Sequence, residues 1–156
     1  MERPEVVTIG SLPHPSPAVN RVGFPLDHPY VEQCMLPWLG PTAVLLLRRL
    51  PALWQDGDPV RIPSEDLAGL FGVRWGQMGR TIDRLAQFGL ARRPALERLH
   101  VFDRCAPLPE RLLDRMPERA RDAHHRLIGE HLDRLAGVAV DRVAPRPAAP
   151  SSELGR

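Results

Sequence analysis

The stretch SEDLAGLFGVRWGQMGRTIDRLAQFGLARR, running from Ser64 to Arg93, decides the fold. Ser64 is a helix-capping residue type, and Glu65 and Asp66 complement the positive end of a helix dipole, so a short helix is predicted over Glu65–Phe71. Gly72-Val73 supplies a turn. From about Arg74 to Phe88 the residues Trp75, Met78, Ile82 and Leu85 fall at i, i+3, i+7 and i+10, one apolar stripe on a 3.6-residue wheel. Gly89 then stands where a left-handed residue ends a helix. Gly76 and Gly79 each cost about 1 kcal/mol relative to Ala in a helix interior. Gly79 lies close to the apolar face, where it allows near contact with the preceding helix; Gly76 has no such role.

Working outward, Leu90–Arg93 and Arg98–Phe102 read as two strands joined by a Pro94-Ala95-Leu96-Glu97 tip. Upstream, Pro41 opens a helix to Leu50 or Trp54, apolar along Ala43, Val44, Leu46, Leu47 and Leu50. Asp56-Gly57-Asp58-Pro59 signals a turn, and the Val60/Ile62 alternation between prolines suits a very short edge strand. The order is helix, strand, helix, turn, helix, strand, wing, strand. From about Pro41 to Phe102 this is the order of a winged helix-turn-helix domain, mainly α with a small β wing. Asp27 is expected to cap a flanking helix over Pro29–Leu36, with Pro37 and Gly40 breaking the chain after it.

The ends carry different signals. Residues 1–26 hold five prolines (Pro4, Pro13, Pro15, Pro17, Pro25) and read as a flexible arm. Residues 27–140 form the winged-helix domain with its flanking helices. Residues 141–156, with Pro145, Pro147 and Pro150, read as a disordered tail. After the wing a short helix is expected over Glu110–Met116, and Pro117 opens the longest one, to about Gly137. Ala120, His124, Leu127, Ile128, His131, Leu135 and Val138 share one face of that helix. A stripe so long suits a homodimer seam, with His124 and His131 inside it.

Bulk properties set the partner classes. The 156 residues suffice for one domain, and 43% hydrophobic content supports a core. The longest apolar run, Ala43 to Leu47, is far short of the roughly 18 residues needed to span a bilayer, and no secretion signal opens the chain. The expectation is therefore a cytoplasmic protein without a membrane partner. Cys34 and Cys105, lacking a CxxC partner, read as buried small hydrophobes. All 21 basic residues are arginine, a bias that with 18 prolines points to a GC-rich genome. The net charge of +2 carries less information than where the charges lie.

They gather on the second helix of the quoted stretch. Gln77, Arg80, Arg84 and Gln87 lie opposite its apolar stripe, with Arg74 and Thr81 beside them. Between Arg74 and Arg93 five arginines face one acid, Asp83. A major groove admits one helix, and there Arg pairs bidentately with guanine and Gln with adenine. On the wing, Arg92, Arg93 and Arg98 would meet phosphates. The expected DNA-binding set is thus Arg74, Gln77, Arg80, Thr81, Arg84, Arg92, Arg93 and Arg98.

These residues also carry a resemblance. Leu67, Ala68, Leu70, Gly72 and Val73, followed by Ile82, Leu85, Gly89, Leu90 and Arg93, resemble the positioning helix and recognition helix of bacterial regulators of the MarR type. The likeness spans about 45 residues and extends to small winged-helix proteins of high-GC bacteria. It implies that Gln77, Arg80, Thr81 and Arg84 face bases or phosphates. In place of the common Ser/Thr-rich start of the recognition helix stands Arg74-Trp75-Gly76-Gln77.

Other chemistries find little support. His124 and His131 are two turns apart, too far to chelate a metal alone, and His125 points elsewhere. There is no GxSxG, HExxH or P-loop, and the glycines at 69, 72, 76 and 79 do not form a phosphate-binding pattern following a strand. The expectation is a DNA-binding transcriptional regulator that is not an enzyme and needs no cofactor or metal. The alternative is a winged-helix module docking on a protein of transcription, replication or another system. A basic recognition face favours DNA; an apolar face with Trp75 exposed would favour a protein.

Overall fold

The structure is a computed structural model that describes residues 2–143, with side chains described to residue 137. Its architecture is α-plus-β. Strand β1 (Val6–Leu12), helix α1 (Pro17–Val22) and strand β2 (Phe24–Pro25) are followed by a π-helical turn, Val31–Met35, that runs into α2 (Leu36–Leu39). Next come α3 (Pro41–Gln55), β3 (Val60–Pro63), α4 (Ser64–Leu70), α5 (Trp75–Gln87) and the hairpin β4 (Ala91–Ala95) and β5 (Arg98–Phe102). The two-residue β6 (Arg104–Cys105), α6 (Glu110–Leu113) and α7 (Glu118–Val143) complete the order.

The principal correction concerns residues 2–26, the described part of the expected arm. They are not a flexible arm: β1 lies inside a four-stranded sheet of order β3-β1-β5-β4, antiparallel to β3 and parallel to β5. Val7 and Ile9 alternate into the core, the half-buried pattern that a strand produces. The Trp54 indole N–H donates to the Ile9 carbonyl at 3.1 Å, and Ser11 N–H donates to Asp58 Oδ1 at 3.0 Å. None of the five prolines falls within Val6–Leu12, so nothing there interrupts the ladder.

Other local expectations change with it. Ser64 is the first residue of α4, not its cap; its Oγ donates to the Pro4 carbonyl at 2.5 Å and its N–H to the Glu5 carbonyl. The chain entering β1 therefore takes the hydroxyl that would otherwise have capped the helix. Upstream, His28 Nδ1 accepts the Tyr30 N–H at 3.0 Å, in the role expected of Asp27. Pro37 does not break the chain. It sits in the first turn of α2, where its missing N–H is not needed, and the break comes at Gly40, φ 81°. Gly89, φ 74°, ends α5 in the left-handed conformation expected of it. Strand β4 continues through Pro94 to Ala95, with an irregular register beside the proline at this sheet edge, so the turn narrows to Leu96-Glu97.

Helix α7 covers its own chain. Ala120, Ala123, His124, Leu127 and His131 are buried. The Tyr30 hydroxyl is hydrogen-bonded to His124 Nδ1 at 2.7 Å and accepts the Leu108 N–H at 2.8 Å. His131 Nε2–H donates to the Val22 carbonyl at 2.9 Å, and Phe24 stacks on Tyr30 with ring centroids 4.2 Å apart. The histidines expected in a seam between two copies thus lie in a seam within one, because β2 and the π-helical turn supply a surface that residues 41–102 alone lacked. The helix also runs through Gly137 to Val143. Val138 has no described side chain, and the tail beyond Val143 lies outside the described residues. Both cysteines are buried and unbridged, and burial raises the Cys34 thiol to about 11 and that of Cys105 to about 12, which keeps them protonated. Among the described residues no helix is long and apolar enough to cross a membrane.

Candidate nucleic-acid interface

Helix α5 is anchored by Trp75, Met78, Ile82 and Leu85, all buried as the apolar periodicity requires. Gly79 is buried beside them. The opposite side presents Gln77, Arg80 and Arg84, with Arg74 at the cap, and all four are exposed. A Cβ added at Gly76 would meet only the Arg80 guanidinium, at 3.8 Å, so packing within the chain does not demand glycine there.

Two expected residues do not join that face. Thr81 is buried, and its hydroxyl donates to the Gln77 carbonyl one turn back at 2.9 Å. This is the back-bonded state of a mid-helix threonine, which leaves its hydroxyl engaged. Arg93 pairs with Asp83 at 2.5 Å and donates to the Leu96 carbonyl at 2.9 Å, tying the hairpin to α5. Its side chain is only 14% exposed, so it holds the hairpin and does not present a charge. Arg92 and Arg98 are exposed on the strands, with Arg92 lying 5.5 Å from the centroid of the Phe102 ring.

The basic face borders a cleft of about 280 Å³ between α5 and the start of α3. Gln77, Arg80, Thr81 and Arg84 line one side, and Gly40, Pro41 and Thr42 the other. Gln77 Nε2 donates to Thr42 Oγ1 at 3.1 Å, and Arg84 Nη1 donates to the Leu39 carbonyl at 3.1 Å. Thr42 and the α3 N-terminus were not among the expected site residues. The signal for them was Gly40-Pro41, which starts a helix and leaves its first N–H groups unpaired. Two guanidinium groups beside a helix N-terminus, with no carboxylate among the described residues that line the cleft, favour anionic oxygens such as those of a phosphodiester.

In register across the sheet, Arg61 of β3 and Arg98 of β5 both pair with Thr8 of β1, so all three share one face. His100 and Arg92, paired across β5 and β4, lie on that same face. Arg61 escaped the sequence reading because its alignment with the hairpin depends on β1 standing between them.

No protein-family model matches the chain, and no curated protein sequence matches it. Among solved structures, the primosome protein DnaB (residues 1–300) from Geobacillus stearothermophilus aligns with a TM-score of 0.46 at 17% identity. The alignment covers 100% of this chain and 56% of that one, so the chain spans little more than half its length. A likeness at that level carries no argument about fold or function.

Proposed function

We propose that the chain is a winged-helix protein that binds double-stranded DNA, with α5 in the major groove and the β4–β5 hairpin along the backbone. In this reading it acts as a transcriptional regulator. The observation that carries it is the division of α5: Trp75, Met78, Ile82 and Leu85 inside, Arg74, Gln77, Arg80 and Arg84 outside. The one acid of the helix, Asp83, is paired to Arg93 and so offsets the exposed cations little. In this reading Arg80 and Arg84 reach bases or phosphates, Gln77 reads an adenine edge, and Arg92 and Arg98 neutralise backbone charge.

Burial of Trp75 weighs against the alternative of a protein-docking face on α5, which would need an exposed apolar anchor there. Ala120, His124, Leu127 and His131 are covered by the same chain, so only Ile128 and Leu135 of the described stripe are left to serve a homodimer seam along α7. Genomic occupancy of the tagged protein tests the reading. Discrete sites sharing a sequence motif are expected, and a profile indistinguishable from an untagged control would refute it.

A further inference from the structure

A second cavity, of about 450 Å³, opens at the C-terminal end of α5. That volume lies within the range of small-ligand sites, roughly 300–1,000 Å³. Met35, Trp38, Phe88 and Leu112 give it an apolar wall drawn from three separate segments. Its polar lining includes Gln87, His14 and Arg111. His14 Nδ1 accepts the Ser16 N–H at 3.0 Å, which leaves Nε2 to carry the ring proton as a donor. Arg111 is exposed, and among the described residues no ion pair engages it. Among the described residues no carboxylate lines the cavity.

We infer that this cavity is a binding site for a small amphipathic organic anion, with its apolar body against Trp38 and Phe88 and its acidic group on Arg111. Charge complementarity selects the anion, since among the described residues the formal charge in the lining is positive. The apolar wall selects against inorganic ions, which gain nothing from it. The site lies outside the cleft between α3 and α5, and it does not depend on the DNA reading.

The test uses the full chain and the dye 1-anilinonaphthalene-8-sulfonate, with its uncharged analogue N-phenyl-1-naphthylamine. Saturable binding of one sulfonate dye per chain is expected, with the neutral analogue weaker by about tenfold or more, as loss of a charge-assisted contact implies. Gln87→Glu places a carboxylate in the lining and Arg111→Ala removes the cation; each should weaken the sulfonate dye by about tenfold and leave the neutral analogue unchanged. Both positions are exposed, so thermal melts should match the parent protein. Absence of saturable binding, or sulfonate binding indifferent to both substitutions, overturns the inference.

Discussion

Arg93 and Asp83 close on each other at 2.5 Å across the junction of α5 and β4, and that pair separates the structural arginine of this region from the presenting ones. The half-buried guanidinium also holds the Leu96 carbonyl. Arg93→Ala should therefore destabilise the fold by about 1–2 kcal/mol, since hydrogen bonds to a charged group are lost at a sheltered site. Arg92→Ala, on the exposed strand face, should stay within about 0.5 kcal/mol. Urea denaturation of both variants checks the contrast, and equal stabilities would deny Arg93 its structural role.

The position of β1 makes an opposite claim from that of a flexible arm. Ile9 is completely buried, so Ile9→Ala should cost about 2–5 kcal/mol through lost apolar burial and the cavity left behind. A denaturation midpoint equal to that of the parent would return residues 6–12 to the status of an arm.

Much of the middle of the chain was legible because its signals are local. The apolar stripe of α5, the left-handed Gly89 and the Val60/Ile62 alternation each report one element, and each element stands within a few residues of its expected place. What stayed hidden depends on distant partners. The alternation of Val7 and Ile9 was in the sequence, but the proline count over 26 residues obscured a seven-residue strand that contains none. Nothing local says that Ser64 will give its hydroxyl to Pro4, that Asp83 will take Arg93 out of the basic set, or that Thr42 will meet Gln77 across a cleft. Each of those facts is a tertiary contact between segments whose own patterns are satisfied without it.

Gly76 separates stability from function. With no close neighbour there and no positive φ, Gly76→Ala should stabilise the protein by about 0.4–1 kcal/mol, chiefly by restricting the unfolded chain. If the start of α5 enters a groove, the added methyl group should also weaken DNA binding, since glycine permits close backbone approach to a ligand. Gly129→Ala on α7, likewise without a close neighbour, serves as the control and should stabilise without touching affinity. A Gly76→Ala protein less stable than its parent contradicts the packing described.

Acid should loosen the seam beneath α7. Burial first, and the neighbouring His125 second, lower the His124 pKa, with Glu110 opposing; His28 is lowered by burial, then by His131, Arg134 and Arg48, with Asp27 opposing. Both folded-state values therefore lie below the unfolded value of 6.5. The unfolded chain then takes up protons first as pH falls, so this stability is complete above the unfolded pKa and declines toward the folded one. Melting temperature should drop between about pH 7.5 and 5.5, and His124→Phe, which does not titrate, should reduce the slope. A slope unchanged in that variant would mean that His124 is not a source of the pH dependence.

The central claim rests on Arg80 and Arg84, and the direct measurement is the affinity of the protein for duplex DNA across a series of salt concentrations. Fluorescence anisotropy of the parent and the Arg80→Ala/Arg84→Ala variant, beside thermal melts of both, supplies it. Melts should agree within about 1 kcal/mol, allowing for the lost contact between Arg84 and the Leu39 carbonyl. Affinity should fall by about tenfold to a hundredfold, and the salt-dependence slope should shrink by about one unit for each phosphate contact removed. An unchanged affinity and slope in a folded double variant would contradict groove binding by α5.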